Sequence, residues 1–322
     1  MSRPTVFITR RIPEAGLDLL RDHCEINLWD HALPPGHQEI LEKVPGVSGI
    51  LSLLTDKIDA EIMDMAGSQL QVISNYAVGY NNIDMQAANQ RKIAVGNTPD
   101  VLTDATADHA FALMLAAGRH IIAGEKNVRE GAWKTWGPGI FLGADFKSAT
   151  LGLIGYGRIG KAMAKRAGGF DMQVIFFDPT AETDEKARKV DLETLLCQSD
   201  FISLHAPLTA ETRFLINEDS FKKMKPNCIL VNTARGEMIE SNALYYALKN
   251  RQIFAAGIDV TDPEPLPHDS PLLTLENLIV TPHIASASFK TRDDMAIIAA
   301  KNIIAGIQGQ RLPHIVNPEI YQ

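Results

Sequence analysis

Basic runs are missing from this 322-residue chain. It holds 31 Lys and Arg against 39 Asp and Glu, a formal charge of −8, and no cationic stretch longer than "TRR" or "FKK". Nucleic-acid binding relies on clustered cations that displace counterions, so a polyanion partner is excluded. Long apolar runs are missing as well. No segment approaches the ~18 apolar residues of a membrane span, and the apolar part of "MSRPTVFITRRIPEAG" is too short for a secretory signal. Cysteine is scarce: Cys24, Cys197 and Cys228 are odd in number, far apart and fit no metal spacing. They read as buried thiols of a reducing compartment, which predicts a cytoplasmic protein with no disulfide framework and no metal site. Repeats and low-complexity segments are also lacking. What remains, 45% hydrophobic and 22% charged residues, is the composition of a globular protein.

The length exceeds one ordinary core, since domains run to ~150 residues, and the pattern divides accordingly. Short β-rich runs alternate with helical patterns from the start: "TVFIT", "EINLW", "VSGILSLL", "LQVISNYAV" and "IAVGNT", with "PEAGLDLLRDH" and its successors between them. Strict alternation predicts a parallel sheet covered on both faces. A capped helical run, "TDATADHAFALMLAAGRHIIAGEKNV", and a Gly- and Trp-containing segment, "EGAWKTWGPGIFLGADF", follow. Alternation then restarts with "ATLGLIGYG" and continues through "MQVIFFD", "DFISLHAP", "CILVNTARG", "FAAGIDV" and "LIVTPHI". The expected fold is therefore α/β, with two doubly wound parallel-sheet domains: a Rossmann cofactor domain over 100–287 and a flavodoxin-like substrate domain over 1–99. The apolar stripe of "AIIAAKNIIAGI" reads as core, and its helix, within 288–322, is expected to return to the first domain.

"LGLIGYGRIG" places Gly155, Gly157 and Gly160 between an apolar strand and a helix. A dinucleotide needs this arrangement: one Gly for the tight turn, one for approach to the pyrophosphate, one for helix packing. The next strand ends on Asp178, 18 residues beyond Gly160, where a carboxylate accepts from adenosine ribose hydroxyls and repels a 2′-phosphate. NAD(H) is therefore expected over NADP(H); the bland reading of Asp178 is a helix cap in "DPTAET". Ligands sit beyond the carboxyl ends of parallel strands, and three later strand ends carry ionisable groups. Arg235 suits bidentate capture of a carboxylate, unless it serves a salt bridge. Glu264 stands between prolines, 19 residues before His283. A carboxylate on one imidazole nitrogen leaves the other to exchange a proton near neutrality. Arg, Glu, His and a nicotinamide site together suit hydride transfer at a 2-oxo acid.

With those blocks assembled, the sequence resembles the D-isomer-specific 2-hydroxyacid dehydrogenases over essentially its whole length. "SLHAPLTAETRFLIN", "LVNTARGEMI", "AGIDVTDPEPLP" and "VTPHIASAS" are similar to that family's signature blocks, and "NYAVGYNNID" and "GAWKTWGPGIFLGAD" are similar to its glyoxylate and hydroxypyruvate reductase branch. The resemblance implies that Arg235, Glu264 and His283 are catalytic. It also implies that Val78 and Gly79 receive the substrate carboxylate, and that Trp136 reaches a neighbouring subunit's site in a homodimer formed through the cofactor domain. Leu53 is expected to limit substrate size. The implied cofactor set adds Thr106, Arg158, Ile159, Pro179, His205, Pro207, Thr212, Thr233, Ala234, Asp259 and Ala285 to the glycines and Asp178, with Asp259 near the nicotinamide amide. His205 read by itself is a packed histidine, and Trp133 and Trp136 are equally packing anchors. Asp108, Asp171 and Ala285 depart from the family's usual Glu, Gly and Gly. The expected activity is reduction of glyoxylate or hydroxypyruvate by NADH, the small-acid partner excluding a bulky or phosphorylated one. The alternatives are a broader D-2-hydroxyacid dehydrogenase and an NAD-sensing, corepressor-like interaction protein.

Overall fold

Most of the apolar runs too short for helices become strands here, and the computed structural model, which describes residues 3–322, contains twelve strands among the described residues. They fall into two compact units, one made of residues up to Leu102 together with Ala287–Gln322 and the other of Thr103–Ser286. Val101 and Leu102 stay packed against the first core, so that unit runs to 102 where the sequence pattern suggested 99.

The first unit holds β1 (Thr5–Ile8), β2 (Glu25–Leu28), β3 (Gly49–Ser52), β4 (Val72–Asn75) and β5 (Ala94–Gly96). Their order is β2-β1-β3-β4-β5, with every pair parallel. This is the flavodoxin-like order. The residues of β3 and β4 are buried throughout, as a sheet covered on both faces demands. The C-terminal helix Phe289–Ile307 supplies part of that cover, with Ala296, Ala299, Ala300 and Ile303 fully buried. It lies so close that a Cβ on Gly306 would fall 2.4 Å from that of Val72. The apolar stripe is therefore core. His37, Asp59 and Glu61 cluster on this unit's surface, but Asp59 caps the helix Ala60–Ala66 through Ile62 N and has Lys57 Nζ at 3.5 Å.

The second unit holds β6 (Thr150–Ile154), β7 (Gln173–Phe177), β8 (Arg188–Lys189), β9 (Phe201–Leu204), β10 (Ile229–Asn232), β11 (Ala255–Ile258) and β12 (Leu278–Val280). All run parallel in the order β12-β11-β10-β9-β6-β7-β8, the doubly wound Rossmann arrangement. One face packs on the helix Thr103–Gly118 through Ala107, Ala110, Phe111 and Met114. The other packs on Leu192–Gln198 and Ser241–Lys249.

Three features were not legible beforehand. β8 is two charged residues long, so it has no hydrophobic signature. The single helical pattern after residue 103 breaks at Gly118, whose carbonyl accepts from Ala144 N at 2.8 Å; His120 then adopts φ 52° and a second helix, Ile121–Arg129, buries nothing. Asp171, where the resemblance expects Gly, has φ 54°, a left-handed backbone that Asp tolerates better than most side chains.

The C-terminal tail is latched to β5 by Asn317, which is 1% exposed. Its Oδ1 accepts from Val95 N at 2.8 Å, and its Nδ2 donates to Ile93 O at 2.9 Å and Asn89 Oδ1 at 2.8 Å. Asn317→Ala strands a buried donor and a buried acceptor, and should lower the stability of the first unit by about 3 kcal/mol, read as the shift of its urea-unfolding midpoint at unchanged slope.

Candidate active site

Within the second unit, the loops leaving the carboxyl ends of its parallel strands lie along one edge, and the ionisable groups found in the sequence are on those loops. The glycines come first. Gly155 has φ 93°, and a Cβ there would fall 2.6 Å from Ala206 N. A Cβ on Gly160 would meet Gly155 O at 2.3 Å. Gly157 differs, because its missing Cβ faces open space. It is also the N-cap of the helix Arg158–Gly168 and has no side chain to cap it. The helix amides at Arg158 and Ile159 thus begin beside a space that a side chain would have filled. That combination fits a pyrophosphate.

Asp178 follows β7. Its Oδ1 accepts from Thr180 N, Thr180 Oγ1 and Ala181 N at 2.8, 2.9 and 2.9 Å, and its Oδ2 from Tyr156 N at 2.8 Å. Burial opposes the charge, but these bonds outweigh it and hold the carboxyl at about 2. Asp178 is therefore an anion that shapes the glycine loop itself, with room at Oδ2 for one further donor. Along the same edge, the Oγ1 of Thr233 and the Nδ1 of His205 are buried without a protein partner. Burial pushes the His205 imidazole down to about 3, so it is neutral, with Nε2 2.8 Å from Ser203 Oγ. Orphaned buried atoms call for a partner. They and the uncapped helix fit a nicotinamide dinucleotide.

Other members of the sequence-derived set are spent locally. Thr212 Oγ1 donates to Pro207 O at 2.7 Å and accepts from Thr209 N at 2.7 Å. Ala234 N donates to Asn232 Oδ1, and the carbonyl of Pro179 accepts from Lys189 Nζ at 3.4 Å. Thr106 is buried in Thr103–Gly118.

The ionisable trio is brought together in part. His283 Nδ1 lies 2.6 Å from Glu264 Oε1. An ionised carboxylate only accepts, so Nδ1 carries the proton of this bond and Nε2 is not engaged by Glu264. Glu264 Oε2 also accepts from Thr261 N at 3.4 Å. Arg235 is half-buried at the end of β10, where Nη1 donates to Ala234 O at 2.6 Å. Burial pulls its guanidinium below the ordinary value, while the charges of Glu264 and Glu237 pull it up; it keeps its charge regardless.

Asp259 behaves as a scaffold. Its side chain is fully buried. Oδ1 accepts from Thr281 Oγ1 at 2.6 Å and Ile284 N at 2.8 Å, and Oδ2 from Ala285 N at 2.7 Å. Burial works against the charge, but bonds from His109, Thr281 and the two amides hold the carboxyl below its usual range. His283 sits between these anchors with φ 55°, its amide donating to Asp259 O at 2.8 Å. Sequence reading missed His109 and Thr281 as contributors. The one available signal was a polar residue on the mostly apolar helix Thr103–Gly118.

Of the remaining predicted residues, Leu53 follows β3 and packs against the first unit's core, while Val78 and Gly79 follow β4. There Asn97 Nδ2 donates to Val78 O at 2.8 Å and Asn75 Nδ2 to Gly79 O at 2.7 Å. Trp136, in the second unit, is 76% exposed.

The family model of the D-isomer specific 2-hydroxyacid dehydrogenase NAD binding domain matches residues 111–285, the span that carries the glycine loop and the trio. A glyoxylate reductase of Korarchaeum cryptofilum is 48% identical over 99% of this chain and 97% of its own. A solved structure from Thermus thermophilus is similar at TM-score 0.93 and 44% identity, over 97% of this chain and 99% of that one. An NADPH-dependent glyoxylate/hydroxypyruvate reductase of Sinorhizobium meliloti, solved with NADP and malonate, is similar at TM-score 0.85 and 30% identity, over 98% and 97%. The chain thus belongs to the D-isomer specific 2-hydroxyacid dehydrogenase family and is an oxidoreductase with a domain for a nicotinamide cofactor.

Proposed function

We propose that this enzyme reduces glyoxylate, and hydroxypyruvate beside it, to glycolate and D-glycerate with NADH. The observation that carries the mechanism is the 2.6 Å bond between His283 Nδ1 and Glu264 Oε1, on the same sheet edge as the glycine loop. When bound, the nicotinamide supplies the hydride. Arg235 holds the substrate carboxylate by its planar fork and polarises the carbonyl. The protonated His283 gives its Nε2 proton to the carbonyl oxygen, and Glu264 steadies the ring's charge and orientation before and after transfer. In the first unit we assign reception of the substrate carboxylate to the Val78 and Gly79 amides, and the limit on substrate size to Leu53.

His283→Gln should bind NADH normally, by fluorescence titration, and lose roughly 10²- to 10⁴-fold in kcat on glyoxylate. Glu264→Gln should lose roughly ten- to a hundredfold, the worth of one hydrogen bond to a charged group. Retained turnover in His283→Gln overturns the assignment.

For the cofactor, Asp178 supports NADH over NADPH, because its carboxyl, held down to about 2, is ionised at neutral pH and keeps one acceptor position free. The Sinorhizobium meliloti relative is NADPH-dependent, so the preference is a property of residues and not of the family. Asp178→Ser should raise NADPH affinity by about tenfold through loss of one repulsive charge. Wild-type enzyme that already binds NADPH as tightly as NADH refutes this.

A homodimer through the cofactor domain is supported by the apolar residues that the second unit leaves exposed: Ile121, Ile122, Trp133, Trp136, Ile140 and Leu142. Patches of this kind mark interfaces. We assign Trp136 to the neighbouring subunit's active site. Light scattering should give twice the chain mass, and Ile140→Arg with Leu142→Arg should give monomers. Among the described residues no helix is long and apolar enough to cross a membrane, and with three unpaired cysteines we place the enzyme in the cytoplasm.

A further inference from the structure

The buried Asp259 carboxylate has beside it a histidine that takes no part in the proton transfer above. His109 projects from the helix Thr103–Gly118, and its Nε2 lies 3.0 Å from Thr281 Oγ1 and 3.4 Å from Asp259 Oδ1. Thr281 Oγ1 is 2.6 Å from that same carboxylate oxygen. A threonine has one hydroxyl proton and a carboxylate can only accept, so that proton lies on the bond to Asp259. Oγ1 must then accept from His109, which puts a proton on Nε2. The bonds therefore run one way, from His109 to Thr281 to Asp259. At the far end the carboxylate takes the amides of Ile284 and Ala285, at 2.8 and 2.7 Å.

His283 stands between the two ends of this chain, with φ 55°. A non-glycine residue keeps such a conformation only when its surroundings over-determine it. Here Thr281 on one flank and Ile284 and Ala285 on the other are all bonded to the carboxylate that His109 supports. A histidine serving the core alone would tolerate loss of its donor at little consequence to the loop. This one tethers the loop that carries the proton donor.

We propose that His109 is a positioning residue: by donating from Nε2 to Thr281, which donates in turn to Asp259, it orients the 281–285 loop so that His283 Nε2 meets the reacting oxygen. This rests on the role assigned to His283 above. The test uses His109→Leu, His109→Gln and Thr281→Val in the full-length enzyme, with His283→Gln as control. Deuterium uptake by a peptide spanning 278–288 should speed up about tenfold in His109→Leu and Thr281→Val. It should return to near the wild-type rate in His109→Gln, whose amide keeps a donor. On glyoxylate, kcat should fall roughly tenfold in the first two, with KM and the NADH Kd within about twofold, and should recover in His109→Gln. The two losses should not multiply in the double variant, because both break one chain of bonds. Unchanged uptake in His109→Leu overturns the proposal whether or not glyoxylate is turned over. So does a kcat loss that His109→Gln fails to recover, or a loss expressed in KM or Kd. If the wild type is inactive on glyoxylate, or matches His283→Gln, the catalytic assignment fails while uptake still decides the loop. Should His109→Leu not fold, Thr281→Val removes the same link with little change in volume.

Discussion

A carboxylate shut away from water must have its oxygens answered by donors, and the shape of this site follows from how Asp259 is answered. It follows β11 directly, and its donors come from the helix Thr103–Gly118 and from both sides of the turn after β12. Neighbouring backbone bonds extend the same hold: Asp259 N donates to Asn232 O at 2.8 Å and Thr281 N to Ile258 O at 2.9 Å. The buried charge ties the end of β11 to the loop after β12, and the backbone bonds join both to β10. Removing water also makes each of these bonds directional and strong, which is how a left-handed histidine can be held at the rim.

The enzyme carries a net charge of −8, yet its family acts on anions with an anionic cofactor. Local features resolve the conflict. An uncapped helix N-terminus beside Gly157 presents amides, and Arg235 presents a planar, partly desolvated fork. Near each cation or amide donor stands a carboxylate with its own task. Asp178 shapes the glycine loop and Glu264 orients His283.

Much of this was legible in the chain. The alternation of runs such as "GILS" and "VISN" with helical patterns dictated parallel sheets, because only a covered sheet buries such strands on both faces. The spacing of Gly155, Gly157 and Gly160 predicted three different backbone roles, and the Cβ environments differ accordingly. The pairing of Glu264 with His283 follows from their chemistry and from the adjacency of their strands, and the 2.6 Å bond between them agrees. Other elements were hidden for physical reasons. β8 pairs through its backbone and has no apolar residue to announce it. The break at Gly118 depends on Ala144 N meeting its carbonyl, a contact 26 residues away that periodicity does not encode. Asp178 was read as a ligand for ribose, and its bonds to the chain's own Tyr156, Thr180 and Ala181 amides came only with the fold.

His283 marks the division between the two kinds of information. Its place after a proline at a strand end, and its partner in a proline-flanked loop, are consequences of local sequence and of the rule that ligands gather at the carboxyl ends of parallel strands. Its backbone conformation and the identity of its supports are not. His109 is 172 residues from Thr281 along the chain, and no pattern of period 2 or 3.6 links them. Periodicity records which residues are buried; it does not record which buried polar atoms must satisfy one another. That pairing is settled only when helix and sheet pack and water leaves, since an unmet hydrogen bond becomes costly only then.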